Sequence, residues 1–173
     1  MQTGGVRFRP RRRFGQNFLV NRGAIAGIVE AFGPDPEDLV LEIGPGRGAL
    51  TRALLGRVRA LVAVEIDRDL AEALRRDLAE SGPAPAEGGA STSVEIVAAD
   101  ILEVDIARLL ARLGAAPGRP ARVLANLPYN IATAVILRLL AQRPAVRDIL
   151  VMVQREVAAR ILAHPGSRAY GSL

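Results

Sequence analysis

The sequence predicts an α/β fold, in which a mainly parallel sheet carries helices on both of its faces. Short apolar runs alternate along the chain with amphipathic segments, which is the pattern of parallel strands joined by crossover helices. The five predicted strands cover residues 39–43, 60–66, 94–100, 121–126 and 148–154. Half of the 173 residues are apolar, so the chain is long enough for one domain that buries about 70% of its unfolded surface.

Helical spacing of apolar residues predicts the segments that surround these strands. A first helix precedes the sheet, because apolar residues recur at this spacing from Ile25 to Phe32 and Gly33-Pro34 ends the pattern. Three more helices are predicted from the stripes Leu70, Leu74 and Leu78, then Ile106, Leu109, Leu110 and Leu113, and finally Val135, Ile136, Leu139 and Leu140. Residues 82–93 have the glycine, proline and serine content of a loop.

Positive charge is concentrated at the start of the chain. The net charge is +5, all 23 basic residues are arginine, and five of them are Arg7, Arg9, Arg11, Arg12 and Arg13. We predict that residues 1–20 form a basic arm and that residues 21–173 form the folded domain. The arm has two interpretations, a solvated segment or a segment whose arginines, Arg11 to Arg13 among them, contact the phosphates of a nucleic acid.

The composition argues against several classes of protein. The chain has no cysteine and one histidine, so we expect neither disulfides nor a metal centre. It has no run of about 18 apolar residues and no pattern of a secretory signal. We therefore expect a cytoplasmic protein that is not inserted in a membrane.

Polar residues and glycines follow the predicted strands, at the point where each strand ends. Because parallel strands point the same way, these residues meet at one edge of the sheet, where such folds bind ligands. The residues are the loop Gly44-Pro45-Gly46-Arg47-Gly48 after the first strand, then Glu65 with Asp67, Asp100, Asn126 and Gln154. The sequence therefore predicts a ligand site at this edge.

The glycine loop and the acidic residues that follow it are typical of nucleoside-binding sites. Gly44 and Gly46 allow the backbone to approach a ligand closely, and Glu65 is placed to hold ribose hydroxyls. Asp100 can accept a hydrogen bond from the exocyclic amine of adenine. This pattern does not separate a nicotinamide-dependent oxidoreductase from a nucleoside-binding methyltransferase, and a glycine turn without a ligand is a third interpretation.

The tetrapeptide Asn126-Leu127-Pro128-Tyr129 points more specifically to an adenine as the substrate. The N6 amine is a poor nucleophile, because its lone pair is delocalised into the ring. The side-chain oxygen of Asn126 and the backbone carbonyl of Leu127 can accept its two protons, with Pro128 fixing the turn and Tyr129 stacking on the extruded base. The alternative interpretation is a strand-ending turn with a half-buried tyrosine.

Seven stretches of the chain together resemble one known family. They are RRRFGQNFL, VLEIGPGRGALT, VEID, AAD, NLPYNIAT, MVQREVAARI and PGSRAYG, and they are similar to the ribosomal RNA adenine N6,N6-dimethyltransferases of the KsgA/RsmA type. The resemblance implies a Rossmann-like class I methyltransferase fold and S-adenosyl-L-methionine as the cofactor. It also implies dimethylation of two adjacent adenines of small-subunit rRNA, by a monomer that acts on the immature 30S particle.

The resemblance also implies roles for residues that spacing does not reveal. Asn17 and Leu19 would contact the cofactor, Gly44 would line its methionine part, and Asn126 would lie between the methyl donor and the target base. Two roles stay open for Glu42. It would order the loop and, through water, the amino group of the cofactor, or it would have a purely structural role.

Three further expectations concern the branch of the family and the extent of the chain. NLPY and PGSRAYG favour the small-subunit enzymes over the methyltransferases of large-subunit rRNA, which usually carry NIPY. Family members continue with two more strands and a helical domain, so we expect these to be missing here and the last strand to leave a sheet edge open. An RNA-binding assembly factor with little or no catalysis is the alternative function.

Overall fold

The five predicted strands form one sheet, in which each strand lies parallel to its neighbours. The computed structural model describes residues 18–81, 91–168 and 170–171. The strands are β1 (Leu39–Ile43), β2 (Ala60–Glu65), β3 (Ser93–Ala98), β4 (Ala121–Asn126) and β5 (Val146–Met152). Their order in the sheet is β3-β2-β1-β4-β5. The order reverses direction between β1 and β4, which is where an open parallel sheet forms a crevice for ligands.

Helices cover both faces of this sheet, as predicted. One face is covered by α1 (Arg22–Phe32), α2 (Ala49–Leu54) and α3 (Arg68–Ser81). The other is covered by α4 (Ile106–Leu113), α5 (Tyr129–Leu140) and α6 (Arg155–Ile161). Strand β1 contributes side chains to the hydrophobic cores on both faces of the sheet. Leu39 and Leu41 pack with α4 and α5, while Val40 packs with α1 to α3. None of the described helices is long and apolar enough to cross a membrane.

The structure differs from the sequence prediction in two short helices and in the ends of three strands. Helices α2 and α6 were not predicted, because six and seven residues are too few for a helical repeat to be recognised. Strand β2 ends at Glu65 and β3 at Ala98, while β5 begins at Val146 and ends at Met152. Gln154 is therefore not the end of a strand, but the N-cap residue of α6.

Strand β5 lies at one edge of the sheet. Among the described residues it pairs with β4 alone, and its residues from Ile149 to Met152 are half-buried. The open edge expected from the sequence is thus present in the described part of the chain. Most of the predicted loop 82–93 and nearly all of the predicted arm 1–20 lie outside the described residues, so these two assignments stay predictions.

Arg122 of β4 joins the end of α1 to the sheet at the edge opposite the carboxyl ends of the strands. Its guanidinium donates to the carbonyls of Phe32 and Gly33 and lies 4.0 Å from the centre of the Phe32 ring. It also pairs with Asp38 at 2.8 Å and with Asp148 at 3.0 Å. The arginine side chain is 12% exposed and that of Asp38 is 5% exposed, so both charges depend on this pairing.

We expect Arg122→Met to lower the free energy of unfolding by about 3 kcal/mol. The substitution leaves the carbonyls of Phe32 and Gly33 without their donor, and it leaves buried Asp38 with the half-exposed Arg147 as its remaining cation. Urea denaturation followed by circular dichroism measures this change. Arg59→Met is the matched control, since Arg59 pairs with Glu37 on an exposed surface, and its loss should cost less than about 1 kcal/mol. Equal effects of the two substitutions would contradict the prediction.

Candidate functional site at the carboxyl edge of the sheet

The strand order places the predicted site residues in a row along the carboxyl edge. From β3 to β5 the row is Asp100, Glu65, the glycine loop 44–48, Asn126 and Gln154. Neighbouring strands lie about 4.8 Å apart, so the ends of β3 and β4 are separated by three spacings, or about 14 Å. The edge between them is long enough to hold an extended nucleoside ligand.

Gly44 brings the glycine loop against the end of β4. Its amide donates to the carbonyl of Val64 at 2.9 Å, and its φ of +72° lies in the left-handed region that favours glycine. A Cβ at this position would lie 3.2 Å from the carbonyl oxygen of Asn126. The loop and the tetrapeptide therefore meet at the crevice between β1 and β4.

Gly48 lets helix α2 begin in contact with α3. Its φ is +74°, and a Cβ there would lie 2.3 Å from Cδ1 of Leu74. Arg52 donates to the carbonyls of Arg47 and Gly48 and pairs with Asp77 of α3 at 3.0 Å. The exit of the glycine loop is thus fixed by close packing and by one guanidinium.

Glu65 holds the glycine loop through its carboxylate. Oε2 accepts the amide of Gly46 at 2.9 Å, and Oε1 accepts the amide of Asp67 at 2.9 Å. The residue is 4% exposed, and this burial raises the pKa of its carboxyl, although the two amides partly oppose the shift. A carboxylate has about four lone-pair sites in all, so Glu65 has acceptor capacity beyond these two amides.

Glu42 is a second buried carboxyl at the same edge. It is 2% exposed, and its Oε2 accepts the hydroxyl of Thr51 at 2.7 Å, which ties β1 to α2. Burial raises its pKa to about 7, hydrogen bonds from Thr51 oppose the shift, and the charge of Glu65 adds to it. Its contact with Thr51 supports the structural role, while its position in the lining of the cleft leaves the ligand role open.

A cleft lies between the glycine loop and the end of β4. It is lined by Glu42, by loop residues 44–47, by the first turn of α2, by Asn126 and by Phe18 and Leu19. The guanidinium carbon of Arg47 lies 4.7 Å from the centre of the Phe18 ring. Of the predicted site residues, Leu19, Gly44, Gly46 and Asn126 therefore share one cleft.

Glu65 and Asp100 lie farther along the same edge. Glu65 reaches the cleft through its bond to Gly46. Asp100 follows β3, and its Oδ1 accepts the amide of Leu102 at 2.8 Å. Its carbonyl accepts the amides of Glu103 and Val104, each at 3.0 Å. The structure thus places Asp100 at the start of a tight turn, two strands away from the glycine loop.

The tetrapeptide forms the junction between β4 and α5. The amide of Leu127 donates to the carbonyl of Met152 at 3.1 Å, and its side chain is 5% exposed, so it belongs to the core. Pro128 is the N-cap residue of α5 with φ −66°, where the missing amide proton costs no intrahelical bond. Tyr129 is the first residue of α5. Its ring lies outside the described atoms.

Residues 7–173 match the family model described as "Ribosomal RNA adenine dimethylase". The chain belongs to this family. Membership favours the methyltransferase interpretation of the glycine loop over the oxidoreductase one.

Three relatives show how far the similarity extends. The chain is 44% identical over 163 residues to ribosomal RNA small subunit methyltransferase A of Cupriavidus necator, covering 94% of this chain and 52% of that protein. It thus spans about half the length of this relative. The solved structure of a dimethyladenosine transferase from Plasmodium falciparum matches with a TM-score of 0.71 at 27% identity, over 89% of this chain and 49% of that one. The 23S rRNA methyltransferase ErmE matches with a TM-score of 0.63 at 32% identity, over 83% and 50% of the two chains.

Sequence reasoning missed two apolar residues at the site of this family member. Ile66 lies between Glu65 and Asp67 and is 41% exposed, although the strand pattern suggested that it continues a buried run. Phe18 lines the cleft beside Leu19. The signal for both was an apolar side chain next to a predicted polar site residue.

Two predicted features of the site, the cofactor contact of Asn17 and the phosphate contacts of the arginine cluster, stay predictions. Asn17 and the arginines Arg11, Arg12 and Arg13 lie outside the described residues. Within residues 18–81, 91–168 and 170–171, no cluster of three or more histidine, cysteine, aspartate or glutamate residues could hold a metal ion.

We expect Gly48→Ala to lower the free energy of unfolding by about 3 kcal/mol, because a Cβ there is strained by the positive φ and collides with Leu74. Gly27→Ala is the matched control, since a Cβ there meets no atom within 4 Å and alanine favours the helix. Urea denaturation should show opposite changes for the two variants. A Gly48→Ala variant as stable as the parent would contradict the packing described here.

We expect Glu42 to make the fold less stable as the pH rises from about 5 to about 7. The folded pKa of about 7 exceeds the ordinary glutamate pKa of 4.5. The folded state therefore holds a proton that the unfolded state has lost, and stability falls in this window. The change is on the order of 3 kcal/mol. Glu65 acts in the same direction, so the comparison is with Glu42→Gln, which should flatten the pH dependence of urea denaturation. Parallel pH curves for the two proteins would show that Glu42 does not titrate in this range.

Proposed function

We propose that this chain is the cofactor-binding and catalytic part of an enzyme that uses S-adenosyl-L-methionine to dimethylate N6 of adenines in ribosomal RNA. The observation that carries the proposal is the contact between the glycine loop and the tetrapeptide. A Cβ at Gly44 would lie 3.2 Å from the carbonyl of Asn126, so a group held by the loop lies beside the amide proposed to orient the target amine. Family membership supports the same chemistry.

Successive residues along the carboxyl edge of the sheet match successive parts of this cofactor. Gly44, Gly46 and Leu19 line the cleft that would take its methionine part, and Asn17 is expected to add a further contact with the cofactor. The carboxylate of Glu65 is an acceptor that can take a hydrogen bond from the ribose hydroxyls. S-adenosyl-L-methionine, when bound, supplies an electrophilic methyl group.

The adenine end of the cofactor would lie toward β3. Asp100 is placed to accept a hydrogen bond from its exocyclic amine, and the exposed side chain of Ile66 offers an apolar surface to its ring. Asp100 and Asn126 then mark the two ends of the ligand, about 14 Å apart along the edge.

The tetrapeptide would activate the target amine without a general base. The side-chain oxygen of Asn126 and the carbonyl of Leu127 accept the two amine protons, which favours a pyramidal nitrogen with its lone pair free for the methyl group. Pro128 keeps these acceptors in place, because its φ is fixed at the start of α5. Stacking of the Tyr129 ring would offset the cost of extruding the base.

We also propose the target and partner of the whole protein. The relative from Cupriavidus necator is named for the small subunit, whereas ErmE is named for 23S rRNA and is less similar. This difference favours two adjacent adenines of small-subunit rRNA in the immature 30S particle. The arginines Arg11, Arg12 and Arg13 would contact its phosphates, and the enzyme would act as a monomer in the cytoplasm.

We expect Asn126→Ala to lower methyl transfer by about 100-fold or more, because it removes an acceptor that acts on the reacting amine. The measurement is the transfer of radiolabelled methyl from S-adenosyl-L-methionine to immature small subunits. Calorimetry should show that the variant still binds the cofactor. Asn130→Ala is the matched control, since this second asparagine is exposed on α5.

Two results would count against the proposal. Unchanged transfer by Asn126→Ala would remove the role of the tetrapeptide. Absence of transfer by the parent, with RNA retained in a salt-dependent way, would favour an assembly factor without catalysis.

A further inference from the structure

The loop that carries Asp100 is held from outside by an arginine of helix α5. Nη1 of Arg138 donates to the carbonyl of Ile101 at 2.9 Å and also to that of Leu102. Nη2 donates to the carbonyl of Val104 at 2.8 Å. One guanidinium therefore binds three carbonyls of the five-residue loop 100–104.

The hydrogen bonds of Arg138 and those of Asp100 together fix the conformation of loop 100–104. The carboxylate of Asp100 accepts the amide of Leu102, so the loop's amides turn toward Asp100 while its carbonyls turn toward Arg138. Ile101 anchors the same loop in the core, where it is 5% exposed. The direction of the Asp100 side chain is thus determined by a turn whose outer side is closed by Arg138.

The helix that supplies this arginine also begins the substrate side of the site. Helix α5 starts at Tyr129, directly after Asn126, Leu127 and Pro128. Arg138 lies about 13 Å farther along the same helix, and its long side chain extends back toward the helix start. One helix therefore contacts the loop at the adenine end of the cofactor and begins at the last residue of the tetrapeptide at the methyl end.

We infer that Arg138 is a positioning residue, which holds the Asp100 loop so that Asp100 meets the exocyclic amine of the cofactor's adenine. This inference rests on the proposed function. Through Arg138, α5 sets the distance between the adenine contact and the acceptors for the target amine. Displacement of α5 would then change cofactor recognition as well as substrate orientation.

The test is a comparison of two ligands that differ at the adenine amine. S-adenosylhomocysteine carries the amine, whereas S-inosylhomocysteine carries a carbonyl in its place. Because a carbonyl has no proton to donate, Asp100 cannot accept a hydrogen bond from it. Calorimetry on the parent should give a clear preference for the adenosyl ligand. We expect Arg138→Met to reduce the ratio of the two affinities about tenfold, which corresponds to one lost hydrogen bond. Partial unfolding of the variant lowers both affinities equally and leaves the ratio unchanged.

Three further single variants and one double variant complete the experiment. Arg138→Lys keeps a cation and donors and should recover part of the ratio, whereas Arg112→Met, which removes an exposed ion pair with Glu95, should leave the ratio unchanged. Asp100→Ala should lower the ratio, and adding Arg138→Met to it should lower the ratio no further, because the arginine acts through Asp100.

The outcomes separate this inference from the proposed function. A parent protein that binds neither ligand contradicts the proposed function. A parent that prefers the adenosyl ligand, with an unchanged ratio in Arg138→Met, overturns the inference alone. Additive effects of Arg138→Met and Asp100→Ala would also overturn it, since the arginine would then act by another route.

Discussion

The parallel pairing of β1 with β4 is the constraint on which the rest of the site depends. These two strands are adjacent in the sheet but distant in the chain, and the direction of the strand order reverses between them. At their carboxyl ends Gly44 approaches Asn126, so the loop that lines the cleft and the residue proposed to face the target base share one crevice. A slip of one residue in this register would turn the side chains of a strand to the opposite faces of the sheet, and would separate the two halves of the site.

Two buried carboxyls stabilise the loop at this crevice. Glu65 accepts two backbone amides and Glu42 accepts the hydroxyl of Thr51, so both act first as anchors of the backbone. Burial raises the pKa of each, because a charged carboxylate is poorly solvated there. The loop is therefore already shaped before a ligand enters, which lowers the entropy that binding must overcome.

Much of the fold and of the site edge could be predicted from the sequence. Alternating apolar runs and helical stripes predicted all five strands and four of the helices, and the ends of parallel strands predicted which polar residues meet at one edge. The order of the strands could not be predicted, because alternation alone does not say that β4 pairs with β1. The contacts of Arg122 and Arg138 were also missed, since they join residues 26 or more positions apart. The pKa of Glu42 depends on its burial and on its neighbours Thr51 and Glu65, and a linear sequence pattern does not contain these contacts.

A crystal structure of the protein with S-adenosylhomocysteine would test the central claim most directly. The account predicts that the homocysteine part lies in the cleft between Gly44 and Asn126, that the ribose hydroxyls meet Glu65, and that the adenine amine meets Asp100. A ligand bound away from this edge, or bound with its adenine beside Asn126, would contradict the account.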